Sequence, residues 1–211
     1  MFDGRNICVF DIEIKRPINE CTNGWKSLDE MGVACLVMYD YKSMRYRVFD
    51  DHNMSEAMER LCEAELCVGF NTKNFDAALL EATYGKLPPP GLTHFDILRE
   101  IWVALGLDPD NFNPKTHGGY KLDDVAWDTI KMKKTLSGEQ APILYQLGRL
   151  AEVIDYCLED VRIEKTLFEF ACNSGYVVRH KQIDLNIPKD LRLGLKDGGD
   201  TNQIWNTANG I

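Results

Sequence analysis

The run Gly32-Val-Ala-Cys-Leu-Val-Met-Tyr39 carries no charged side chain. A strand this apolar has no face to give to water, so it belongs inside a sheet covered on both sides. Tyr41-Lys-Ser-Met44 then makes a polar turn, and Arg45-Tyr-Arg-Val-Phe49 alternates polar and apolar residues as a half-wet strand does. Ahead of the run, Asn6-Ile-Cys-Val-Phe10 is a short apolar stretch of high strand propensity. Three strands whose connections are short or lack a clear helix are expected to pair antiparallel. The loop between the first two, residues 15–31, contains Trp25.

Further along, helices and strands alternate. Ser55 is placed to cap a helix through about Glu65 with Met58 and Leu61 inward. Leu66–Phe70 reads as a buried strand, and the polar turn Asn71-Thr-Lys-Asn-Phe-Asp76 leads into a helix over Ala77–Tyr84. Pro88–Gly91 breaks the chain, Thr93–Asp96 reads as a fifth strand, and Ile97–Leu105 as the helix after it. Gly106–Gly119 is a loop, Lys121–Ile130 is helical, and a basic turn Lys131-Met-Lys-Lys134 opens a second loop to Pro142. From about Arg149 to Cys172, apolar residues recur at helical spacing without Gly or Pro. Tyr176–His180 has strand character, whereas Ile183–Ile211 is polar and rich in Gly, Asn and Asp. The pattern predicts an α/β fold, a mixed sheet flanked by helices, in one domain over residues 1–180. Residues 181–211 are expected to form a tail, weakly ordered or ordered by a protein partner.

Net charge is −9 over 211 residues. That balance argues against holding nucleic acid on a broad basic surface, but not against doing so through metal ions and a local basic strip. The seven cysteines are odd in number and mostly sit in apolar runs, which suits reduced, buried thiols rather than disulfides or zinc. No apolar run approaches the roughly 20 residues of a membrane span. The first residues lack a signal-peptide pattern, so no membrane association and a cytoplasmic location are expected.

Acidic residues stand where strands end. Asp11 and Glu13 are two apart on the first strand and so project to the same face. Asp76 follows the fourth strand, and Tyr156 and Asp160 lie four apart on the long helix, hence on one side of it. Each reads by itself as an ordinary surface acid or a helix-dipole partner. Carboxylates brought together from all three places would repel one another unless hard, oxygen-seeking cations such as Mg²⁺ or Mn²⁺ neutralised them. Two such ions about 4 Å apart activate a water and stabilise the leaving oxygen of a phosphodiester. A tyrosine hydroxyl beside them can orient that water.

Asp11-Ile-Glu13, Asn71-x-x-x-Phe75-Asp76 and Tyr156-x-x-x-Asp160, in this order, resemble the three motifs of the DEDDy 3′–5′ exonucleases of the ribonuclease-H-like superfamily. The resemblance spans about residues 5–172, and Lys121-Leu-Asp-Asp-Val125 and Val153–Val161 are similar to segments of members related to polymerase proofreading domains. It implies a ribonuclease-H-like mixed five-stranded sheet with the first three strands antiparallel. It also implies a two-metal centre: Asp11, Glu13 and Asp160 on a tighter Mg²⁺ or Mn²⁺ ion, Asp11 bridging to a second that Asp76 holds through water, and Tyr156 positioning the attacking water. Substrate contacts are expected from Ile12, Ile14 and Lys15 at the first motif and from Asn71, Lys73, Asn74 and Phe75 at the second. Family members often carry Thr where this chain has Ile14, so the terminal nucleotide is expected to be held differently. Lys131, Lys133 and Lys134 read either as phosphate contacts or as a solvated turn. Trp25 and Phe75 read either as base-stacking surfaces or as packing. His94 and Asp96 take no assigned role. The expected function is 3′–5′ hydrolysis of single-stranded nucleic acid, DNA rather than RNA. A binding or assembly module without turnover and an endonuclease on structured substrates are the alternatives.

Overall fold

A computed structural model describes residues 2, 4–85, 93–135 and 138–192 of the chain. Strands β1 (Ile7–Ile14), β2 (Val33–Asp40), β3 (Arg45–Phe49), β4 (Leu66–Gly69) and β5 (His94–Asp96) make one sheet in the order β3-β2-β1-β4-β5. β1, β2 and β3 pair antiparallel, whereas β4 runs parallel to β1, and β5 to β4. This is the mixed five-stranded sheet expected, with β1 at its centre. All eight residues of β2 are buried, which the absence of charge along its apolar run requires.

Alternation along β1 divides its residues between two cores. Cys8, Phe10, Ile12 and Ile14 pack on one side against helices α1 (Leu28–Met31), α2 (Met54–Glu63) and α3 (Asp76–Tyr84). Ile7 and Val9 pack on the other, against α4 (Ile97–Ala104), α6 (Leu122–Ile130) and α8 (Leu150–Ser174). Two shorter helices, α5 (Pro114–His117) and α7 (Ala141–Gln146), lie in stretches expected as loops. Pro142 was expected to close a loop, but it occupies the first turn of α7, where a missing N–H removes no helical hydrogen bond. The start of α2 also differs from expectation. Met54, Ala57 and Leu61 are its buried face, preceded by Asn53 rather than Ser55, and Met58 is only partly buried.

Helix α8 runs 25 residues across the sheet and ends at Gly175, whose φ of 81° lets its N–H return to the Ala171 carbonyl. Strands β6 (Tyr176–Arg179) and β7 (Lys181–Asp184) follow as a hairpin turning at His180. The boundary expected at residue 180 therefore falls inside a hairpin. Ile183, Leu185, Ile187 and Leu191 are buried in the α8 core. Their spacing in Ile183-Asp-Leu-Asn-Ile187 is the two-residue alternation of an extended chain with one buried face. The rest of the expected tail, residues 193–211, lies outside the described residues. All seven cysteines are free thiols, and Cys62 is the exposed one. Among the described residues no helix is long and apolar enough to cross a membrane.

Candidate metal centre

The alternation that sends Ile7 and Val9 toward α8 continues past the hydrophobic part of β1, so Asp11 and Glu13 project to the same side. A register shift against β2 falls immediately after Glu13. From the other direction, α8 presents Tyr156 and Asp160 on one face, both 3% exposed. Carboxylate oxygens of Asp11, Glu13 and Asp160 all lie within 4.8 Å of one another. Cys157, the neighbour of Tyr156, points its thiol at Asp11, 3.3 Å from the carbonyl oxygen and 3.5 Å from Oδ2.

Three acids so close, with little water, are hard to ionise together. Burial raises the Asp11 carboxyl to about 6 against the partial relief of Lys134. Burial, then Asp11, raises Asp160 to about 7, with Lys134 and Tyr156 opposing. Glu13 is pushed well above the usual carboxylate range by burial and then by Asp11 and Asp160. Lys134 brings the cation: its Nζ is 2.5 Å from Asp160 Oδ2, 3.1 Å from the Tyr156 hydroxyl and over the tyrosine ring. Burial works to lower the Lys134 ammonium, but Asp160, Tyr156 and Asp11 together outweigh it and hold it above the ordinary lysine range. Tyr156 is likewise held above the usual phenol range, by burial first, so its hydroxyl keeps its proton.

Asp76 is the first residue of α3 and 3% exposed. Burial raises its carboxyl, and the next cause is the charge of Asp11, which sets it beside the three acids rather than among them. The loop that delivers it is held by Asp96. That carboxylate accepts from the Asn71 N–H at 2.8 Å and the Lys73 N–H at 3.0 Å while capping α4 through the N–H groups of Leu98 and Arg99. Asn71 adopts φ 68°, a left-handed conformation that Asn tolerates better than most residues. Arg99 donates to Asn74 Oδ1 and to Asp110.

The oxygen donor set fits a hard divalent cation. Oδ1 of Asp160 and Oδ1 of Asp76 are buried without a hydrogen-bond partner, as ligand atoms awaiting a cation would be. Asp11, Glu13 and Asp160 can hold a metal ion.

The expected substrate contacts fare unevenly. Ile12 and Ile14 are buried in the core on the far side of β1, so their side chains do not reach the acidic face. Lys15 pairs with Asp51 at 2.6 Å. Lys73 lines a cavity of about 260 Å³ with His94, Asp96 and Arg99, and none of Asp11, Glu13, Asp76 and Asp160 borders it. Phe75 meets Trp25 edge to face, 5.5 Å between ring centres, and Trp25 is 64% exposed. Of the lysine cluster, Lys134 enters the centre, whereas Lys131 lies over Trp127.

A family model described as the RNase_H superfamily matches residues 20–172. The chain belongs to the RNase H superfamily. Within that match lie Asp76, Tyr156 and Asp160; the β1 acids precede it. A solved family B DNA polymerase from the hyperthermophilic archaeon Pyrobaculum calidifontis shares the fold, with TM-score 0.55 and 18% identity over 79% of this chain. The chain spans about a quarter (25%) of that polymerase's length. No curated protein matches the chain.

Three residues in or around the centre are not expected there from the sequence, in which Lys134 reads as a phosphate contact or part of a solvated turn and Asp96 and Glu164 take no role. Lys134 stands among similar lysines in a turn, and only the fold selects it. Asp96 has a readable signal, a carboxylate immediately before an apolar helix, which is the pattern of an N-cap. Glu164 follows Asp160 by four residues, and its carboxyl is raised well above the usual range by burial, then by Asp11, Asp160 and Asp76.

Proposed function

We propose that this RNase H superfamily chain is a DEDDy-type 3′–5′ exonuclease that hydrolyses phosphodiester bonds at the 3′ end of single-stranded nucleic acid, DNA in preference to RNA. The observation that carries this reading is the meeting of Asp11, Glu13 and Asp160 within 4.8 Å beneath a tyrosine whose hydroxyl keeps its proton. The fold likeness to part of a DNA polymerase agrees with a DNA substrate.

Asp11, Glu13 and Asp160 would hold one Mg²⁺ or Mn²⁺ ion, and Asp76 with Asp11 would hold a second. When bound, such a pair supplies a nucleophilic hydroxide near neutral pH and neutralises charge developing on the phosphate. The chain's own groups arrange the substrate. Tyr156 accepts a hydrogen bond from Lys134 and keeps its own proton, so its O–H can turn from Asp160 to donate toward a water or phosphate oxygen. Lys134 fixes that hydroxyl and Asp160 together and adds a positive charge beside the phosphate. Phe75, one residue before Asp76 and braced by Trp25, offers an aromatic surface to the terminal base.

Linear single-stranded DNA with a free 3′ hydroxyl, incubated with Mn²⁺ beside a closed circle of the same sequence, tests the reading. The linear strand shortens and the circle survives. Nicking of the circle would make the chain an endonuclease, and binding of both without cleavage would make it a binding module.

A further inference from the structure

Tyr156, Asp160 and Glu164 follow one another at intervals of four along α8, so all three lie on the face turned to the metal centre. Glu164 is 1% exposed, and its Oε2 has no hydrogen-bond partner. A carboxylate taken out of water without a partner is among the most destabilising groups a core can contain. Val161, Ile163, Leu167 and Phe168 around it are buried hydrocarbon or ring, and the adjacent cations of the helix are engaged elsewhere, Lys165 with Glu169 and Arg162 over Tyr46.

The carboxyl reaches toward the end of β4. A Cβ on Gly69 would stand 3.4 Å from Glu164 Oε2 and 2.9 Å from the Phe10 carbonyl oxygen, so a side chain there would fill the space between β1, β4 and α8. Gly69 leads directly into the loop that carries Asp76. Glu164 thus stands between Phe10, the residue before Asp11, and Gly69, the residue before the Asp76 loop, outside the three acids whose oxygens already share one ion-sized space; burial, then Asp11, Asp160 and Asp76, raise its carboxyl. The formal charges agree with this placement. Five carboxylates (Asp11, Glu13, Asp76, Asp160, Glu164) against the Lys134 ammonium leave four negative charges, the charge of two divalent cations.

We propose that Glu164 is a fifth carboxylate of the metal centre, placed on the Asp11–Asp76 side to hold the second cation through a bound water. The proposal rests on the two-metal reading above and adds to it a residue outside the three motifs. A group of this kind orients the inner ligands and raises the affinity of the site without touching the ion.

The full chain is titrated with Mn²⁺ by calorimetry, and its melting temperature is measured in EDTA, for wild type, Glu164→Gln and Glu164→Met. Wild type binds two ions. Both variants bind the first ion as wild type does, bind the second about tenfold or more weakly, and melt higher than wild type in EDTA, because a buried carboxyl with an unpartnered oxygen beside other acids is gone. Two ions bound at wild-type affinity in either variant would overturn the role of Glu164 and leave the two-metal reading standing. A wild type binding fewer than two ions would remove both. A lower melting temperature in EDTA for both variants, or failure of both to fold, would make Glu164 a structural group and overturn the proposal.

Discussion

Asp11 and Asp160 are held in protonation equilibria far from those of free carboxyls because burial removes water before any cation replaces it. The same side chains that make the centre unstable without metal therefore make it bind metal well. Asp11→Asn relieves the repulsion among the acids, so in EDTA that variant melts higher than wild type. With Mn²⁺ present it loses both metal-induced stabilisation and cleavage, and paired melting curves with and without Mn²⁺ read the difference. Tyr156→Phe removes only a hydroxyl. Cleavage slows by about 10²-fold, the scale of a lost water-orienting or proton-transferring group, while calorimetric Mn²⁺ affinity stays at the wild-type level. Lys134→Met deprives Asp160 of its ion-pair partner and lowers metal-free stability by on the order of 1–3 kcal/mol. Urea unfolding in EDTA measures it. Loss of a repelling cation also leaves Mn²⁺ binding no weaker than in wild type.

At the scale of elements, the centre exists because β1 and α8 each carry their chemistry in register with their packing. On β1 the two-residue period that buries Ile7 and Val9 also aims Asp11 and Glu13, and that much is legible in the sequence. The same period, followed through, turns Ile12 and Ile14 into the opposite core and away from the acidic face. Lys134 is not legible in this way, because nothing local distinguishes it from Lys131 or Lys133 before the loop is folded over α8. Asp96 acts through backbone: it accepts from four N–H groups and fixes the turn ahead of Asp76. Asp96→Ala lowers stability by about 1–2 kcal/mol, the range for a lost helix cap, and loosens Asp76 more than the three acids on β1 and α8. Gly69 matters for a different reason, since a Cβ there would come within 2.2 Å of Thr72 Cγ2. Gly69→Ala forces the loop outward, and a drop in melting temperature together with slower cleavage reports it.

Across the whole molecule, helices on both faces of the sheet follow from β2, whose uncharged run to Tyr39 demands cover on each side. The segment from β7 onward shows where that reading stopped short: a brief alternation inside a polar stretch, Ile183, Leu185 and Ile187, supplies three buried side chains to the α8 core. The acidic centre also imposes a pH dependence on the fold. Asp11 and Asp160 titrate higher in the folded protein, at about 6 and about 7, than the ordinary value of 3.8. Between about pH 4 and about pH 7 the folded state therefore binds more protons than the unfolded chain, and metal-free stability falls as pH rises through that window. Saturating Mn²⁺, which needs the deprotonated ligands, reverses the slope; melting curves across the window with EDTA or Mn²⁺ compare the two. The most direct test of the account follows a 5′-labelled single-stranded DNA over time with wild type and Asp11→Asn, in Mn²⁺ and in EDTA. A ladder shortening stepwise from the 3′ end, present only with wild type and metal, is the predicted result. An intact strand under every condition, or the same ladder from Asp11→Asn, would contradict it.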